Sequence, residues 1–97
     1  MNTLLLRPAA VADLQAAVVW YDERQAGLGR EFMDAVGHKL IQIESNPLQF
    51  PIVRSSTRRA IVMRFPYGIF FVLRKSLVSV LAVMHHARAP LRWHRRT

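Results

Sequence analysis

The stretch from Phe65 to Met84 constrains this chain most. Tyr67-Gly68-Ile69-Phe70-Phe71-Val72-Leu73-Arg74 is dense in aromatic and β-branched residues, which suit a pleated, half-buried surface. Lys75-Ser76 is a polar break of hairpin length, although it lacks the Asn-Gly pair that marks the tightest turns. Leu77 to Met84 is almost continuously apolar, so both faces of that strand need cover. These two segments predict a hydrophobic β-hairpin, and the residues before it must supply a layer to pack on it. After Met84 the chain turns basic, with His85, His86, Arg88, Pro90, Arg92 and Trp93.

The covering layer is legible as two helices. Thr3 to Arg7 reads as a short first strand, and Pro8 suits the first turn of a helix, where its missing N–H costs nothing. Val11, Leu14, Val18 and Tyr21 then recur at steps of three and four, which predicts an amphipathic helix over Ala9 to Arg24. Asp13 falls near its positive N-terminal end, and Gly27 is a natural stop. Leu28, Phe32, Val36, Leu40 and Ile43 hold one face of a second helix. Asn46-Pro47 ends it, because the residue before a proline avoids the helical region. The link from Gln25 to Gly29 is short, so the helices form an antiparallel hairpin. Gly37, inside the second helix, costs about 1 kcal/mol against alanine and is expected to mark close packing.

Pro47 to Ser56 reads as a connector. Arg58 to Arg64 alternates in part, with Arg59, Ile61 and Met63 on one side and Ala60, Val62 and Arg64 on the other. That predicts a third-last strand, and Phe65-Pro66-Tyr67-Gly68 a turn into the hairpin. The expected order is strand, helix, helix, strand, strand, strand. This is an α+β domain over 1–97, with a helical hairpin on one face of a mostly antiparallel sheet.

Charge narrows the function. The net charge is +8, but residues 1–51 carry six acids against four basic residues, while residues 52–97 carry ten lysines and arginines and no acid. The halves are thus −2 and +10. Such asymmetry points to a polyanionic partner: nucleic acid, ribosome or an acidic protein segment. There is no cysteine, hence no disulfide framework, thiolate nucleophile or zinc–cysteine site, which fits a cytoplasmic protein. No apolar run approaches the ~20 residues of a membrane helix, and Leu4-Leu5-Leu6 is too short for a signal-peptide core.

Few residues are equipped for chemistry. His85 and His86 are adjacent, so on a strand they point to opposite faces and do not share a metal. No metal or cofactor is expected. One of them suits a general base, since arginines nearby would hold it neutral; the alternative is a histidine that ends a strand. Arg54, Arg58, Arg59, Arg64, Arg74, Arg88, Arg92, Arg95 and Arg96 suit bidentate binding of carboxylate or phosphate. Trp93, between Arg92 and His94, suits either stacking on a base or anchoring the tail. No phosphate-binding glycine loop, Ser-His-Asp framework or carboxylate pair is present.

Together these pieces resemble a family. Ala12-Asp13-Leu14 and Trp20-Tyr21, Gly27-Leu28-Gly29 with Phe32, Asn46-Pro47, Arg58-Arg59, Phe65-Pro66-Tyr67 with Ile69, and Ala82-Val83 leading to His85, Arg88 and Pro90 stand in the order found in the RelE/ParE superfamily of type II toxin–antitoxin toxins. The ending with His85, Arg88 and Pro90 is more similar to the ParE side. The resemblance implies a small cytoplasmic toxin of a plasmid-stabilisation-type system, neutralised by a cognate antitoxin through an acidic or amphipathic segment. A ParE-like toxin poisons DNA gyrase by binding it, and Arg58, Arg59, Arg74, Arg88, Arg92 and Trp93 would then contact target or antitoxin. A RelE-like member instead cleaves mRNA on the ribosome, in which case Arg64, His85 and Arg88 would be the catalytic set. A non-toxic basic binding domain is the remaining alternative.

Overall fold

A computed structural model describes residues 2–86. Two of its strands hold the fold together: β4 (Tyr67–Arg74) and β5 (Leu77–His85). They pair antiparallel from Arg74↔Leu77 to Tyr67↔His85, around a turn in which Lys75 takes a left-handed φ of 58°. β1 (Thr3–Leu6) runs parallel to β5. On the other side β3 (Thr57–Ile61) pairs antiparallel with β4, and β2 (Ile52–Arg54) forms the outer edge. The sheet order is β1-β5-β4-β3-β2. β2 lies inside the stretch expected to be a plain connector. Three exposed residues carry too little alternation to announce a strand, and pairing with β3 makes it one.

Helices α1 (Pro8–Arg24) and α2 (Leu28–Ser45) form the predicted hairpin. α1 ends at Arg24 with Gln25 as its C-cap, and left-handed Gly27, φ 87°, caps the start of α2 instead of closing α1. Leu14, Phe32, Val36 and Ile43 are buried, and Val18 and Leu40 pack on them half-buried. Across the interface stand Ala60, Val62, Ile69, Phe71, Val78, Val80 and Val83 of the sheet. An aromatic knot closes one end: Phe32 lies 5.0 Å from Tyr67 and 5.3 Å from Phe65, ring centre to ring centre. Such pairs add about 0.5–1.5 kcal/mol beyond their area.

Two expected local roles are corrected. Gly37 is not the point of close approach: a Cβ there would meet nothing within 4 Å. Gly29 is that point, where a Cβ would stand 2.7 Å from the Val18 carbonyl oxygen and 2.8 Å from the Asp22 carboxylate. Asp22 in turn accepts the Gly29 N–H at 2.8 Å. Nor does Asp13 serve the helix dipole, since the first turn of α1 holds no acid. Its carboxylate accepts the Val83 N–H of β5 at 3.0 Å.

Candidate recognition surface

The helices cover one face of the sheet. The other face carries a separate buried apolar cluster, whose described members come from β4 and β5: Phe70, Val72, Leu81, Ala82 and Met84. A register shift between Phe70 and Phe71 brings it about. Phe70 pairs with Ala82 but Phe71 with Val80, so Leu81 is an extra residue on β5. A bulge of this kind turns consecutive side chains to one face, and Leu81 joins Ala82 there while Val80 and Val83 stay with the helices.

Register assigns the arginines. Arg59 pairs with Phe70 and therefore shares this second face, whereas Arg58 pairs with Phe71 and lies on the helical side. There Arg58 donates to the Phe50 carbonyl at 2.7 Å, holding the 3-10 turn Pro47–Gln49 against the sheet. Arg64 is not on a strand at all. It sits in the β3–β4 turn at φ 73° and forms an ion pair with Glu31 of α2 at 2.8 Å. That pair rims a shallow groove of about 390 Å³ with Asp34, His38, Lys39 and Met63. Arg74 follows Phe70 and Val72 in alternation at the exposed end of β4, and Arg54 is exposed on the edge strand. Arg88, Arg92 and Trp93 lie outside the described residues.

His85 closes β5, and His86 follows it in a turn. His85 pairs with Tyr67, and the rings meet edge to face at 5.6 Å. His86, whose N–H donates to the Pro66 carbonyl, comes near Arg59. His86 is exposed, and the little hydration it loses, then the Arg59 guanidinium, then His85 lower its imidazole from the ordinary histidine value, which favours the neutral form. Among the described residues no group of acids and histidines is arranged to hold a metal ion.

The structure thus brings Arg59 and His86 together, holds Arg58 on the Phe50 carbonyl, and places Arg64 in a solvent-exposed ion pair with Glu31. Of the groups named for a nuclease, Arg64 is bound to a helical carboxylate while His85 packs on Tyr67. Glu31 and Gly68 both matter here and were not singled out as site residues. Glu31 has no signal in a lone sequence. Gly68 has one, as a glycine inside a run of strand formers.

A family model described as the ParE toxin of the type II toxin-antitoxin system, parDE, matches residues 4–90. The chain belongs to the ParE toxin family. The fold agrees: the solved structure titled "Chromosomal ParDE TA system from P. aeruginosa" superimposes with a TM-score of 0.79. It is 17% identical, and the match covers 88% of this chain and 96% of that one. A search of curated proteins finds no match. As a ParE-family chain it is a toxin-type domain with an antitoxin as its implied partner, and no described helix is long and apolar enough to cross a membrane.

Proposed function

We propose that this ParE-family chain acts in the cytoplasm as a toxin that binds and poisons DNA gyrase, and that a cognate antitoxin neutralises it by covering its basic sheet face. The observation that carries binding over cleavage is the fate of the arginines. Cutting RNA through its own 2′-hydroxyl needs a base, an acid and cations on the phosphate. Arg58 is held on the Phe50 carbonyl and Arg64 lies off the strands, in a solvent-exposed ion pair with Glu31, which leaves Arg59 and Arg74 on the sheet's second face as the recognition groups. Arg88, Arg92 and Trp93, outside the described residues, belong to the same proposed contact set.

One observation favours the nuclease reading enough to be tested beside it. His86 is biased to its neutral form next to Arg59, as a general base beside a phosphate-binding cation would be. The test is to express the chain with and without its antitoxin. Gyrase poisoning gives accumulated double-strand DNA breaks with intact messages, relieved by the antitoxin. Cleaved messages with unbroken DNA overturn the reading in favour of the nuclease. Unimpaired growth without antitoxin leaves a non-toxic binding domain.

A further inference from the structure

Gly37 weakens the middle of α2 relative to alanine, and the described chain packs nothing against it: a Cβ there would meet no atom within 4 Å. The residues along the helix on either side give it a use. Arg30, Met33, Gly37, Ile41 and Glu44 follow one another at steps of three, four, four and three, so they form one stripe. Phe32, Val36 and Ile43 are the side chains that α2 turns into the core. On the stripe, Met33 is 39% and Ile41 67% exposed, and Arg30 and Glu44 are exposed.

The stripe is its own complement. Gly37 is the midpoint, with Met33 and Ile41 four residues to either side and Arg30 and Glu44 seven. A second copy of α2, laid antiparallel with glycine on glycine, sets Met33 against Ile41 and Arg30 against Glu44, each contact made twice by symmetry. The bare backbone at the centre lets the two helices close. Steps of three and four suit the shallow crossing, about 20°, of paired helices.

Charge points the same way. Arg30 stands in the first turn of α2, where the helix dipole favours an acid, and Glu44 in the last turn, which holds no base. Each is at the wrong end for a lone helix. The ion pairs among the described residues, Glu23–Arg24 and Glu31–Arg64, include neither of them. An antiparallel neighbour corrects both. It brings a carboxylate and a negative helix end to Arg30, and a guanidinium and a positive helix end to Glu44.

We propose that the chain pairs with a second copy of itself through this stripe of α2, two-fold about Gly37. The helices pack on one face of the sheet, and Arg59 and Arg74 belong to the other, so the joint leaves those arginines outside it in both copies. One helix from each copy makes a small interface, and the dissociation constant is expected at ~10–100 μM.

The experiment is sedimentation equilibrium on the purified full chain without antitoxin, across a concentration series, with circular dichroism to confirm that each variant is folded. The wild type is expected to pass from monomer to dimer. Ile41→Glu, which sets a carboxylate against Met33 of the second copy, should weaken the pair ~10-fold or more. Arg30→Glu and Glu44→Arg should each weaken it, and the double variant should recover it, because the reversed charges meet again across the joint. Gly37→Ala should raise the melting temperature of the dilute monomer and yet weaken the pair, a split of signs that a role within one chain does not produce. A wild type that stays monomeric up to about 1 mM overturns the inference. So does a dimer indifferent to Ile41→Glu and to the charge reversals, which would use another surface. A monomer whose Ile41→Glu variant loses the antitoxin instead overturns it in favour of the antitoxin on this stripe.

Discussion

The carboxylate of Asp13, on α1, accepts a hydrogen bond at 3.0 Å from the backbone N–H of Val83, on β5. The reason lies in how β1 ends. β1 pairs with β5 only as far as Leu6↔Val80. The chain then turns at Arg7, whose N–H takes the Val80 carbonyl at 3.0 Å, and α1 begins. Beyond that point the outer edge of β5 has lost its ladder, yet Val83 is buried. Asp13 supplies the acceptor that β1 no longer can, and ties the helix to the sheet. Asp13→Ala leaves a buried donor without this partner, at a cost of about 1–3 kcal/mol. Denaturant melts measure it, together with the exchange rate of the Val83 amide, which is expected to rise. A loss below about 0.5 kcal/mol contradicts the role.

Phe32 carries the aromatic knot between the helices and the hairpin. It is fully buried and meets Tyr21, Phe65 and Tyr67. Phe32→Ala is expected to cost about 3–5 kcal/mol. A melt showing under about 1 kcal/mol, the scale of a surface change, removes it from the core.

The two helical glycines should respond in opposite directions. Gly29→Ala pushes a methyl into the Val18 carbonyl and the Asp22 carboxylate, at 2.7 and 2.8 Å, and backbone cannot step aside cheaply. It should destabilise. Gly37→Ala enters open space and should gain about 1 kcal/mol from helix propensity alone. Thermal melts of the two variants decide the matter, and equal losses at both positions contradict the packing described.

Stability should bend at both ends of the pH scale. The folded chain holds the His86 proton more weakly than the unfolded chain does, through burial, Arg59 and His85. The unfolded state therefore binds more protons below about pH 6.5, and stability is lost as pH falls through the folded value. Tyr21 works the other way. Burial and then Tyr67 raise its phenol, so its contribution is complete below about pH 10 and is lost as pH rises through the folded value. Urea midpoints across pH check both. His86→Gln should flatten the acid side and Tyr21→Phe the alkaline side. Slopes that survive these substitutions contradict the assignments.

The apolar patterns were readable because burial imposes them. Leu14, Phe32, Val36 and Ile43 keep helical spacing, and β5 has almost no polar side chain, since both of its faces are covered. Single polar contacts were not readable. Asp13 sits 70 residues from Val83 and Arg64 sits 33 from Glu31, and nothing in local spacing links either pair. The adjacent Arg58 and Arg59 look alike in sequence, and only strand register sends one to brace the Phe50 carbonyl and the other to the second face. Gly37 and Gly29 likewise differ only in what the opposite helix places before them.

Gyrase capture without bond cleavage is the central claim, and a paired assay reaches it most directly. Purified chain, wild type and His85→Gln, is added to gyrase supercoiling reactions and to ribosomes translating a defined message. Loss of a true general base typically costs about 10²–10⁴-fold in rate, whereas a strand-end histidine packed on Tyr67 is replaced by glutamine at little cost. The expected result is inhibited supercoiling by both proteins with the message intact. Message cleavage by the wild type with supercoiling untouched contradicts it, whether the cleavage is lost in His85→Gln or persists there through His86.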